Sequence, residues 1–153
     1  MLLYKIDILS MQCRSYPFMF AALIATIFTG AGCNGAPSIN KEHFSKSIGY
    51  HNQASTVLNS GTSDSMQASK VEQMVVIYQK ALAEGRQVDI QKLNEAHAGF
   101  GDHYRDSFIA GLNAFIEGYR TEDDQKFLHG QVLLDEWGTW YDQNIDQNAY
   151  EKI

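Results

Sequence analysis

The sequence predicts an all-α protein, a small antiparallel bundle of three to four helices after an N-terminal signal segment. Three observations carry that expectation. Beyond Ser65 the apolar residues recur at spacings of three and four, the mark of a helix with one buried face. No stretch alternates apolar and polar residues as a half-buried strand would, and no internal repeat or low-complexity tract competes. After Cys33 there is no further cysteine, so no disulfide within the rest of the chain can stand in for an apolar core.

Residues 1–32 form the first element. One arginine, Arg14, precedes the apolar run Phe18-Met-Phe-Ala-Ala-Leu-Ile-Ala-Thr-Ile-Phe28, which is followed by Thr29-Gly30-Ala31-Gly32-Cys33. An export signal needs a positive start, about 7–15 apolar residues and small residues at the cleavage point. The run meets that length and falls short of the ~20 residues that span a bilayer. Met11 is a plausible start, since Met11-Gln-Cys-Arg14 makes a compact positive region.

Ala31-Gly32-Cys33 resembles the small-small-cysteine end of the lipobox of bacterial lipoproteins. Gly30 stands where that family usually carries leucine. The resemblance implies that Cys33 is acylated and becomes the first residue of the mature protein, a membrane attachment through lipid. Gly30-Ala31-Gly32 would equally serve a general signal peptidase, leaving a secreted protein with an unpaired thiol, and an uncleaved anchor is the third option. Lipoproteins of two-membrane bacteria that lack aspartate after the cysteine usually reach the outer membrane. Asn34 holds that position, so the resemblance implies the periplasmic face of the outer membrane.

Residues 33–41 read as the lipidated end and a flexible tether, and 42–153 as the helical domain. A first helix is expected over about Glu42–Leu58, on the apolar points Phe44, Ile48, Val57 and Leu58. Asn59-Ser-Gly-Thr-Ser-Asp64 reads as a loop. Val71, Met74, Val75, Tyr78, Ala81 and Leu82 then mark one helix face, which Gly85 stops. Asp89 is the expected N-cap of a further helix. Its stripe runs through Ile90, Leu93, His97, Phe100, Tyr104, Phe108, Leu112, Phe115 and Tyr119. Gly99 and Gly101 predict a kink or break inside it, with Asp102 capping a fresh start. Thr121 is the expected cap of the last helix, which buries Phe127, Leu134, Trp137, Tyr141 and Ile145 and carries a Glu122–Lys126 surface pair.

Glycines 111, 118, 130 and 138 inside these helices each cost roughly 1 kcal/mol relative to alanine. Close approach of two helix backbones is the expected reason; a smooth strip for a ligand or partner helix is the alternative.

From Asn34 onward ten basic residues face seventeen acidic ones, and the stretch from Thr121 holds eight acids against Lys126 and Lys152. Such a surface repels nucleic acid, so none is expected as a ligand. No nucleophile elbow, phosphate loop or metalloprotease helix occurs. No catalytic residue and no cofactor is therefore assigned. His97, Asp102, His103 and Asp106 are the one cluster with metal-ligand chemistry, because His103 and Asp106, and Asp102 and Asp106, would be neighbours on a helix. They support the alternative of a metal-binding protein or metal-dependent enzyme.

Trp137, Trp140 and Tyr141 concentrate aromatic area. Trp137 and Tyr141 belong to the core stripe, whereas Trp140 lies about 60° off Trp137 and can reach the bundle edge. The expected function is that of an exported, membrane-anchored lipoprotein whose acidic helical domain binds an envelope protein or serves envelope assembly. Trp140, Asp123 and Asp124 are the candidate interaction surface.

Overall fold

The protein is all-α. The computed structural model describes residues 38–59 and 64–153, so the signal segment, Met11, Cys33, Asn34 and residues 60–63 of the loop lie outside the described residues. The element order is α1 (Ile39–Asn59), α2 (Asp64–Gly85), α3 (Ile90–Ala96), α4 (Phe100–His103), a π-helical segment (Tyr104–Ile109), α5 (Ala110–Thr121), α6 (Asp124–Asn144) and α7 (Gln147–Glu151). The α4, π and α5 segments run on without a break, so the long rods are α1, α2, that composite helix and α6. The short α3 is the part of the expected third helix before its break, and α7 is an addition to the expected set. No described helix is long and apolar enough to cross a membrane.

The first helix begins at Ile39, three residues before the expected Glu42, and takes residues 39–41 from the expected tether. The reason is a cap: Ser38 Oγ accepts a hydrogen bond from Lys41 N–H at 3.1 Å. Helix α1 pairs antiparallel with α2 along its length. Three contacts mark the register: His43 Nδ1 to Glu84 at 2.7 Å, Ser47 Oγ donating to the Ala81 carbonyl at 2.7 Å, and His51 stacked on Tyr78. The expected faces are the buried ones, with Phe44, Ile48, Met74, Val75, Tyr78, Ala81 and Leu82 in the core and Gly85 ending α2.

Asp89 caps α3 as expected, accepting from Gln91 N–H and Lys92 N–H at 2.9 and 3.3 Å. The break in the long stripe is real but does not use Asp102. His97 is extended, Gly99 takes the left-handed conformation (φ 79°), and the rod restarts at Phe100 with Asp102 already inside it. Asn94 Oδ1 supplies the cap by accepting from Gly101 N–H at 2.8 Å. A Cβ on Gly101 would stand 2.1 Å from the Ile90 carbonyl oxygen, so only glycine lets the restarted rod pass that close to α3.

The π segment answers a problem of phase. Phe100, Tyr104, Phe108 and Leu112 are each four apart, and four residues at 100° each overshoot one turn by about 40°. Three such steps would carry Leu112 off the core. The wider π turn takes that rotation back, and all four side chains are fully buried. Tyr119 then falls out of phase and is exposed, while Ile116 and Gly118 face inward.

The turn between α5 and α6 also differs from expectation. Thr121 closes α5, its Oγ1 donating to the Glu117 carbonyl at 2.9 Å. Glu122 is left-handed (φ 54°), and Asp123 is the cap of α6, its carboxylate accepting from Lys126 N–H at 3.0 Å. Lys126 Nζ consequently pairs with Glu117 at 2.6 Å rather than with Glu122. Of the four glycines, Gly118 and Gly130 permit backbone contact between α5 and α6. A Cβ there would lie 2.3 Å from Phe127 N and 2.4 Å from Phe115 N, and one on Gly111 would lie 2.9 Å from Leu134 Cγ. Gly138 departs from that reading, since a Cβ there meets nothing within 4 Å.

Aromatic rings fill the middle. Phe44, Phe100, Tyr104, Phe108 and Trp137 are buried and meet with centroids 5.1–6.1 Å apart, in edge-on, tilted and stacked pairs, while Phe115 meets Tyr78 at 4.9 Å and Phe127 at 4.3 Å. Helix α7 folds back on α1: Ser45 and Tyr150 hydroxyls meet at 2.7 Å, Lys41 pairs with Glu151 at 2.9 Å, and Ser38 Oγ donates to the Ile153 carbonyl.

Candidate functional site

Helix α6 presents two different faces. Gly130, Leu134 and Trp137 are buried, and Phe127 and Tyr141 pack against the same core. At 100° per residue Val132 lies about opposite that line, with Leu128 and Thr139 within about 40° of it. Leu128 and Val132 are 43% and 52% exposed, large apolar side chains that the bundle does not use. Exposed Asp124, Asp135 and Glu136 surround them. The outer face of α6 is therefore an apolar pair rimmed by carboxylates.

Asp123 and Asp124 sit at the start of α6 and Trp140 near its end. Sixteen residues separate Asp124 from Trp140, about 24 Å along the helix. They do not touch, and Asp123 has a structural task as the α6 cap. Trp140 is half-buried. Its indole stacks on His103 with centroids 4.2 Å apart, meets His97 edge-on at 6.0 Å, and leans on Phe100 and Trp137 at 6.1 Å.

His97, Asp102, His103 and Asp106 do not converge on a point. Arg105 occupies both carboxylates, reaching Asp106 Oδ1 at 2.7 Å and Asp102 Oδ1 at 3.1 Å. The guanidinium beside it holds the Asp106 carboxyl below the usual carboxylate range, chiefly by hydrogen bonding. Both imidazoles turn toward Trp140. Among the described residues no group of three or more His, Cys, Asp or Glu side chains is placed to hold a metal ion.

A cleft of about 330 Å³ opens where α6 gives way to α7, lined by His97, Asp142, Gln143, Asn144, Ile145 and Asp146. Asp146 uses one oxygen to cap α7, accepting from Ala149 N–H at 2.8 Å, and that bond lowers its pKa. Burial instead pushes the Asp142 carboxyl up. The Asn144 amide turns away, donating to the Trp140 carbonyl at 2.8 Å. His97 Nδ1 is enclosed and makes no hydrogen bond. The sequence did not single out this corner, because the approach of His97 depends on the bend at residues 97–99.

A second buried imidazole lies elsewhere. His51 stacks on Tyr78 at 5.7 Å and meets the edge of Phe108 at 5.4 Å, and its Nδ1 has no partner. Burial lowers its pKa to about 4. Nothing in the local sequence marked it, since His51 sits among polar residues. The chain matches no protein-family model, no curated protein and no solved structure.

Proposed function

We propose that this chain is an exported lipoprotein, acylated at Cys33, whose acidic helical domain binds another protein of the cell envelope. The outer face of α6 carries the binding half of that reading. Leu128 and Val132 contribute nothing to the core, yet apolar side chains of this size stand together on the face most remote from it. Partner surfaces characteristically pair such an apolar centre with a polar rim. Here the rim is Asp124, Asp135 and Glu136, so the partner is expected to offer an apolar strip edged with lysine and arginine. Trp140 and the cleft extend the surface at one end, and Asp123 and Asp124 bound it at the other. The lipoprotein half rests on Gly30-Ala31-Gly32-Cys33 and the apolar run before it.

Two measurements test the two halves separately. The intact mass of the membrane-extracted protein is expected to correspond to a chain starting at Cys33 plus acyl groups; residues 1–32 still attached, or a bare thiol, removes the anchor. A photo-crosslinker at position 132 is expected to trap one discrete envelope protein in cells, and Leu128→Asp should abolish the adduct. Failure to trap any partner from position 132, or a trap indifferent to Leu128→Asp, removes the α6 surface.

A further inference from the structure

The outer face of α6 calls for an apolar surface edged with lysine, and the chain carries one itself. On the outside of the α1–α2 hairpin Val76 is 50% exposed, another large apolar side chain that the bundle does not use. Lys80 follows it by one turn of α2 and is exposed. Its ammonium lies over the Tyr50 ring of α1, 6.0 Å from the centroid, so the two helices share this face. Tyr50 and Ile77 are only partly buried, which carries the apolar area from one helix to the other. Lys46 stands one turn before Tyr50, exposed and held by Glu42 at 2.6 Å in a surface pair that contributes little. Glu72 lies about 80° round α2 from Lys80, on the side away from Tyr50.

The two faces are complementary. Leu128 and Val132 are edged by Asp124, Asp135 and Glu136, whereas Val76 and Tyr50 are edged by Lys46 and Lys80. Pairing two α6 faces would set carboxylates against carboxylates, and pairing two hairpin faces would set lysines against lysines. The mixed contact joins apolar to apolar and acid to base. We propose that the partner is a second copy of this chain, its α1–α2 face seated on the α6 face of the first. The inference rests on the protein-binding reading above and names the partner of that same surface. So small a patch makes a weak contact in free solution. Attachment of every copy to one membrane through Cys33 would raise the effective concentration at which the faces meet. Because the faces differ, one contact leaves an α6 face open on one copy and a hairpin face open on the other. Association then either closes on itself or continues.

The test is an exchange of charge in the full chain, extracted in mild detergent and followed by sedimentation velocity. The unaltered chain is expected to associate as its concentration rises, and added salt should weaken the association. Asp135→Lys with Glu136→Lys, or Lys46→Glu with Lys80→Glu, should each weaken self-association by at least about tenfold. An equimolar mixture of the two double variants should associate again, because the reversed α6 face of one then meets the reversed hairpin face of the other. A chain that stays monomeric, association indifferent to the reversals, or a mixture that fails to recover overturns the proposal. In cells, the photo-crosslinker at position 132 is expected to join two copies, at residues 46–53 or 73–80 of the second. An adduct with a different protein overturns the second copy and leaves the α6 surface in place. No adduct from that position removes both.

Discussion

One buried imidazole contributes its own pH dependence to this domain. His51 is enclosed by Tyr78 and Phe108, and burial holds its folded pKa at about 4, below the ordinary 6.5. The folded state therefore prefers the neutral ring. The associated stability is present above pH 6.5 and is lost as pH falls from 6.5 toward 4, because the unfolded chain takes up the proton first. Acidification across that window is expected to remove on the order of 1–3 kcal/mol. In His51→Gln the slope contributed by this group should disappear, as urea midpoints at several pH values would report; an unchanged slope would contradict the assignment. Glycines give a second contrast at the same scale. Gly130→Ala forces a Cβ to 2.4 Å from Phe115 N and should cost roughly 1–3 kcal/mol. Gly138→Ala places one in open space within a helix interior and should stabilise by up to about 1 kcal/mol. Equal midpoints for the two variants would refute the packing reading.

Among the elements, helix boundaries were set by side chains that compete to cap, and that competition decides what the sequence discloses. Asp89 was legible because no rival acceptor stands beside it. At residues 121–123, Thr121, Glu122 and Asp123 all offer oxygens, and the choice fell to Asp123 because Glu122 turns left-handed. Asp123→Ala is expected to lower stability by about 1 kcal/mol, whereas Thr121→Ala should change it by less than ~0.5 kcal/mol. Thermal melts of the two variants check the order. The π segment was hidden in plain view: the run 100, 104, 108, 112 keeps a spacing of four that a straight α-helix cannot keep in phase. The break near Gly99 was foreseeable from the glycines, but its cap was not. Asn94 lies in the preceding helix, and only the bend at 97–99 brings it to Gly101 N–H.

At the scale of the molecule, the all-α class and the core residues were readable because periodicity follows directly from burial. The candidate site was readable only in part. Trp140 and the acids of α6 are visible in the sequence, but the placing of His97 and Asp142 around one cleft is a tertiary fact. The same is true of α7, a five-residue helix with too little periodicity to announce itself. Ending the chain at Asp146 would delete the partners of Ser38, Lys41 and Ser45. That truncation is expected to cost about 2–4 kcal/mol from three polar contacts and the packing of Tyr150. Hydrogen exchange should show it as faster amides over residues 39–47, with residues 111–134 still protected.

Because Ser38 hydrogen-bonds to Ile153, the stretch from residue 38 to residue 153 nearly forms a ring. A few glycines joining these positions would close it with little strain, and fresh termini cut between Glu122 and Asp123 should yield a rewired chain with the same interior. Such a permutant would begin at the first turn of α6 and carry the Ser38–Ile153 contact in mid-chain.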